Sequence, residues 1–87
     1  MSKKPKADQP AEHVRMGTLS AAIWRNDAEN GPFYTVTVER RYNDGTDWKS
    51  TSSFGRDDLL VLGKVLDRAH TRIYALQAAD RQDTEAA

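Results

Sequence analysis

The stretch from Phe33 to Phe54 constrains this chain most, because two alternating runs, FYTVTVERRY and TDWKSTSSF, flank the turn sequence Asn43-Asp44-Gly45. Alternation with a period of two is the mark of a strand with one buried and one wet face. The two runs therefore read as a hairpin. A three-residue Asn43-Asp44-Gly45 loop sets Tyr34 opposite Phe54, Val36 opposite Ser52, Val38 opposite Ser50 and Arg40 opposite Trp48. The reverse face then pairs Arg41 with Asp47, Glu39 with Lys49, Thr37 with Thr51 and Thr35 with Ser53. Opposed charges and paired hydroxyls each contribute about 0.2–1 kcal/mol across a ladder. A two-residue Asp44-Gly45 loop would instead mix apolar and polar partners on both faces, so the three-residue loop is the expected solution. One slip in that alignment exchanges the faces.

Upstream, His13 to Arg25 alternates as well, with Leu19, Ala21 and Ile23 on one side and Thr18, Ser20, Ala22 and Trp24 on the other. This segment reads as a strand kinked near Gly17, or as two strands if the chain reverses there. Asn26 to Pro32 is a loop. After Phe54 the apolar period changes to about 3.6 residues, with Gly55 as N-cap and Asp57 and Asp58 in the first turn. Leu59, Leu62, Leu66, Ala69, Ile73 and Leu76 form a stripe that should lie on the sheet. A second stripe, Leu60, Val61, Val65 and Tyr74, makes the helix apolar over more width than one small sheet covers, and reads as a dimer interface. The helix is expected to run for about 22 residues, near 33 Å.

The expected architecture is thus α+β: an antiparallel sheet of three or four strands followed by one long C-terminal helix, as a homodimer. The domain should span residues 13–79, between a disordered basic arm (1–12, with Lys3, Lys4 and Lys6) and a disordered tail (80–87). Eighty-seven residues support only one small core.

Composition narrows the chemistry. The absence of cysteine excludes disulfides, thiolate zinc sites and thiol catalysis, and points to a reducing compartment, the cytoplasm. The N-terminal lysines have no apolar run behind them, and Leu59–Leu62 is far too short to span a bilayer. His13 and His70 lack spacing to a nucleophile or a second ligand, and Asp57-Asp58 is explained by the helix dipole. No phosphate loop or acid–base carboxylate pair is present, so the chain reads as a non-catalytic protein without a metal or cofactor. Formal net charge is zero. A duplex-DNA binder carries a basic excess, so any nucleic-acid site must be local.

Tyr34, Trp48 and Phe54 share a face with Val36 and Val38 and are expected in the core. Trp24 falls on the opposite face, among Thr18, Ser20, Thr35, Thr37 and Thr51. An indole on a hydroxyl-rich sheet suits base stacking and equally suits a protein interface.

The motifs GTLSAAIW, FYTVTVERRYNDG, WKSTSSF and GRDDLLVLGKVLDRA, in that order, resemble the layout of the single-stranded-DNA-binding family of the transcriptional coactivator positive cofactor four and, more distantly, the Whirly proteins. The runs AIWRN (Ala22 to Asn26) and SFGRDDLL (Ser53 to Leu60) are also similar to AIW-x-N and SF-x-x-DDLL runs in a group of small bacterial proteins. The resemblance implies a curved antiparallel sheet, dimerisation through helix and sheet, and a single strand held against the sheet. It would assign Trp24 to stacking, Arg25, Arg41 and Lys49 to phosphates, and Thr37 and Thr51 to hydrogen bonds. The resulting expectation is modest-affinity, sequence-tolerant binding of single-stranded nucleic acid. The alternative is a protein-interaction or assembly module that uses the same sheet face or the spare helix face.

Overall fold

Gly17 adopts φ +62°, which a side-chain-bearing residue reaches only at a cost, and the chain reverses there in a two-residue turn that sets Met16 opposite Leu19. The His13–Arg25 segment is accordingly two strands, β1 (Glu12–Met16) and β2 (Leu19–Asn26). They are followed by β3 (Phe33–Asn43), β4 (Trp48–Thr51), a 3₁₀ turn (Arg56–Asp58) and one long helix, α1 (Leu59–Ala86). This computed structural model describes residues 9–86. The sheet is a four-stranded antiparallel meander in the order β1-β2-β3-β4, and the whole is α+β.

β2 is the middle of the core because its alternation puts Leu19, Ala21 and Ile23 under the helix. Val14 joins them from β1, and Val65 and Ala69 from α1; Ala21, Ile23 and Val65 are fully buried. Met16, Tyr34, Val36, Val38, Phe54, Leu62, Ile73 and Leu76 pack around this nucleus as partly buried residues. The helix lies mainly over β1 and β2, so the β3–β4 half of the same face is less covered. No described helix is long and apolar enough to cross a membrane.

Polar contacts orient α1 on the sheet. Arg72 donates to both carboxylate oxygens of Glu12, its Nε at 2.7 Å, and ties the helix to β1. Near the far end, Asp80 accepts a 2.6 Å hydrogen bond from the Tyr34 hydroxyl and a 3.4 Å contact from Arg25. At the start of the helical segment Gly55 supplies no side chain, but its N–H donates to the Asp58 carboxylate at 2.8 Å, and the Asp58 N–H donates back to the Gly55 carbonyl at 2.9 Å. That carboxylate also pairs with Arg40 at 3.2 Å. Asp58 therefore closes the first turn and holds it to β3.

Several expectations are corrected. The hairpin between β3 and β4 pairs Arg40 with Thr51, Arg41 with Ser50, Tyr42 with Lys49 and Asn43 with Trp48. Relative to the three-residue loop, this is a shift of three positions, an odd number, so every β4 side chain changes face. The cause is the turn. The Asp44 carboxylate accepts from the N–H groups of Thr46 (3.0 Å) and Asp47 (2.9 Å), and the Asp44 N–H donates to the Asp47 carbonyl (3.0 Å). Asn43 Oδ1 accepts from the Gly45 N–H at 2.8 Å, with Gly45 at φ +106°. These side-chain-closed turns stretch the loop to Asp44–Asp47. The expected pairs Arg41–Asp47 and Glu39–Lys49 do not form; Lys49 instead pairs with Asp44 at 3.0 Å.

Two boundaries also move. Glu12 belongs to β1, and the Ala11 N–H donates to the Ile23 carbonyl at 2.7 Å, so the arm does not extend to residue 12. Its residues 1–8, including Lys3, Lys4 and Lys6, lie outside the described residues. α1 continues through Ala86, beyond the expected end at residue 79, and Asp80 is part of the docked helix.

Candidate nucleic-acid interface on the outer sheet face

The face of the sheet away from α1 is built by strict alternation. β1 contributes His13 and Arg15, and β2 contributes Ser20, Ala22 and Trp24. β3 contributes Thr35, Thr37, Glu39 and Arg41, and β4 contributes Trp48 and Ser50. The register carries these across the sheet in rows: Arg15, Ser20 and Glu39 form one, and His13, Ala22 and Thr37 the next.

Trp24 is half-buried and pinned. Its indole Nε1–H donates to the Thr37 hydroxyl at 2.9 Å, so the ring reaches along β3 from its cross-strand partner Thr35 toward Thr37. Thr35 in turn accepts from Asn26 Nδ2 at 3.2 Å. With its edge engaged, the indole still lines a concavity of this face. A cleft of about 260 Å³ opens beside it, lined by His13, Arg15, Ser20, Ala22, Thr37 and Glu39 among others.

Trp48 is 58% exposed, and the Arg41 guanidinium lies 4.9 Å from its ring centroid. That cation–π contact stabilises an exposed site by about 0.5–1 kcal/mol and holds the ring and the charge together. A second concavity, lined by Glu39, Arg41, Trp48, Lys49 and Ser50, adjoins it. Trp24 on β2 and Trp48 on β4 flank β3 from opposite sides, in the rows of Thr35 and Asn43, so the two aromatic platforms lie more than about 13 Å apart. They are too distant to sandwich one planar group and would each take their own.

Of the six residues expected on this face, Trp24, Thr37 and Arg41 are on it. Arg25, Lys49 and Thr51 are not. Arg25 pairs across the ladder with Tyr34 on the helix side and is engaged by Asp27 (3.1 Å) and Asp80 (3.4 Å). Lys49 and Thr51 pair with Tyr42 and Arg40, on the helix side of the sheet, because of the shifted turn. Trp48, expected in the core, takes the outer face for the same reason. Phe54 does pack against the core, but from the segment after β4 rather than as a partner of Tyr34.

Sequence reasoning missed Trp48 and Ser50 through the register; it put Glu39 on this face but did not count it, His13 or Arg15 in the site. The signal for Arg15 was present: treating Gly17 as a two-residue turn pairs Arg15 with Ser20 and puts it on the Trp24 face.

Electrostatics favour this face over the other. The carboxylates of Asp27, Asp80, Asp58 and Glu12 engage arginines on the helix side or in loops, and Asp44 engages Lys49 at the turn. Arg15 and Arg41 form no ion pair among the described residues. Two accessible guanidiniums thus stand on the aromatic face.

The expected dimer residues divide similarly. Leu60 is 90%, Tyr74 67% and Val61 38% exposed, whereas Val65 is fully buried against the sheet and belongs to the core, not to a spare stripe. Conversely Leu59 and Leu66, expected under the helix, are 53% and 44% exposed.

No family model, curated protein or solved structure matches this chain.

Proposed function

We propose that this protein binds single-stranded nucleic acid, with modest affinity and little sequence preference, on the outer face of its sheet, as a non-catalytic module of a reducing compartment such as the cytoplasm. The observation that carries this reading is the pair of indoles, half-buried Trp24 and exposed Trp48, on one hydroxyl-lined surface with Arg41 stacked on the second. Base–aromatic stacking contributes about 1–3 kcal/mol per base and tolerates any base. Arg15 and Arg41 would meet phosphates, and the Thr37 hydroxyl, which accepts from Trp24, retains its own proton to donate.

With two such cations among the described residues, their contribution to log affinity should fall with log salt at a slope of about −1.4, or roughly sevenfold between 50 and 200 mM. Fluorescence anisotropy of a labelled oligothymidine, titrated with the protein at both salt concentrations, tests this. Trp24→Ala is expected to weaken binding by about 1–3 kcal/mol. Absence of binding at low salt would reject the reading and favour a protein partner on the same face.

Self-association is proposed on a separate observation. Leu59, Leu66 and Tyr74 recur at spacings of seven and eight residues and so share a flank of α1, and they remain exposed with Leu60 and Val61. A second copy packed on this flank, as a homodimer, would leave the outer sheet face open to ligand.

A further inference from the structure

We propose that Glu39 reads the Watson–Crick edge of guanine, adding a modest base preference to a site that otherwise tolerates any sequence; this rests on the single-strand binding proposed above. Glu39 is exposed on the outer face at the middle of β3, two residues from Thr37 and two from Arg41. It lines both the cleft beside Trp24 and the concavity beside Trp48, so a base held in either would border this residue. Its cross-strand neighbour is Ser20, with Arg15 beyond. Yet the carboxylate has no hydrogen-bond or ion-pair partner among the described residues, in contrast to Glu12, Asp44, Asp58 and Asp80.

A lone carboxylate between two guanidiniums opposes phosphate, so its presence on a polyanion-binding face weakens the sequence-independent part of the affinity. It is, however, an acceptor-only group with two oxygens. Guanine presents two parallel donors, N1–H and N2–H, that match this fork. Thymine offers a single N3–H flanked by two carbonyl oxygens that repel it, and cytosine and adenine offer one amino group each. Exposed bases of a single strand present these edges freely. The carboxylate therefore penalises the backbone and rewards guanine.

The test compares three labelled oligomers by anisotropy: oligothymidine, the same oligomer with alternate thymines replaced by guanine, and a third with inosine at those positions, which lacks the N2 amino group. The native protein is expected to bind the guanine oligomer about five- to tenfold more tightly than oligothymidine, with inosine between. In Glu39→Gln, whose amide offers only one acceptor to the base, the guanine-to-thymine ratio should fall to within about twofold while binding to oligothymidine is maintained or strengthened. Because guanine also stacks better than thymine, the change in ratio decides. A ratio that persists in Glu39→Gln, or a native ratio near one with oligothymidine bound, overturns the role of Glu39 and leaves single-strand binding standing. Failure of all three oligomers to bind the native protein removes both.

Discussion

Trp24 shows how a single hydrogen bond can turn a half-buried aromatic into a defined surface. Its Nε1–H is committed to Thr37, which restrains the ring's rotamer, so less order must be lost when a base stacks on it. Thr37→Val should therefore loosen the indole without moving the strand. In a Trp48→Phe background, the fluorescence of Trp24 is expected to become more depolarised, and oligothymidine affinity to fall by less than in Trp24→Ala. Arg41 and Trp48 form the matching unit at the other end. A double-mutant cycle of Arg41→Ala and Trp48→Ala, read by oligothymidine binding, should show the two residues coupled, each substitution costing less once the other is made.

Elements are joined by contacts that differ greatly in worth. The helix–sheet seam is apolar at its centre, where Ile23 and Val65 are fully buried. Ile23→Ala is expected to destabilise the fold by about 2–5 kcal/mol, measured by urea unfolding, whereas Lys64→Ala, at an exposed position of α1 outside the apolar flank, should stay within about 0.5 kcal/mol. The polar ties add pH dependence. The Arg72 guanidinium beside Glu12 holds that carboxyl below its ordinary value of 4.5, and the N–H groups of Asp47 and Thr46, with Lys49, hold the Asp44 carboxyl below 3.8. A depressed folded-state value means that the contribution is fully present above the ordinary value and is lost as pH falls through the folded one. The melting temperature should thus be flat from neutral pH to about 5 and decline below the ordinary values. Glu12→Gln should lower it at neutral pH and make the acid decline shallower.

At the scale of the whole molecule, the long dimensions of 53 × 31 × 15 Å describe a thin slab in which one helix backs one sheet. Each face of such a slab is near the surface, and a 28-residue helix, about 42 Å long, exceeds what its strands can cover. The proposed homodimer would use that surplus. Sedimentation or light scattering should give twice the chain mass at micromolar concentration, and Leu60→Glu with Tyr74→Glu should return it to the monomer without unfolding it. A native chain that stays monomeric would reject the assignment of these residues to an interface.

The strand-and-helix order, the turn at Gly17 as one of two readings, the core residues Leu19, Ala21 and Ile23 and the outward Trp24 were all legible in the chain, because local alternation and backbone preference determine them. The pairing of β4 was not. Rejecting registers that mixed apolar and polar neighbours assumed that such pairs are unfavourable, yet Arg41 over Trp48 is a favourable mixed pair, and its parity is that of the rejected alignment. The deciding contacts were those of the Asp44 carboxylate with N–H groups two and three residues on, which lengthen the loop and carry Trp48 outward while Lys49 and Thr51 go to the other face. Likewise, helix periodicity identified an apolar band but not its centre. Ala69 is core as expected, but Val65 joins it and Leu59 and Leu66 turn to the surface in the helix that Arg72–Glu12 and Tyr34–Asp80 tie to the sheet. Period and propensity act within a segment and can be read from it; register and helix rotation are set by contacts between segments far apart in the chain, and only the folded structure brings those into being.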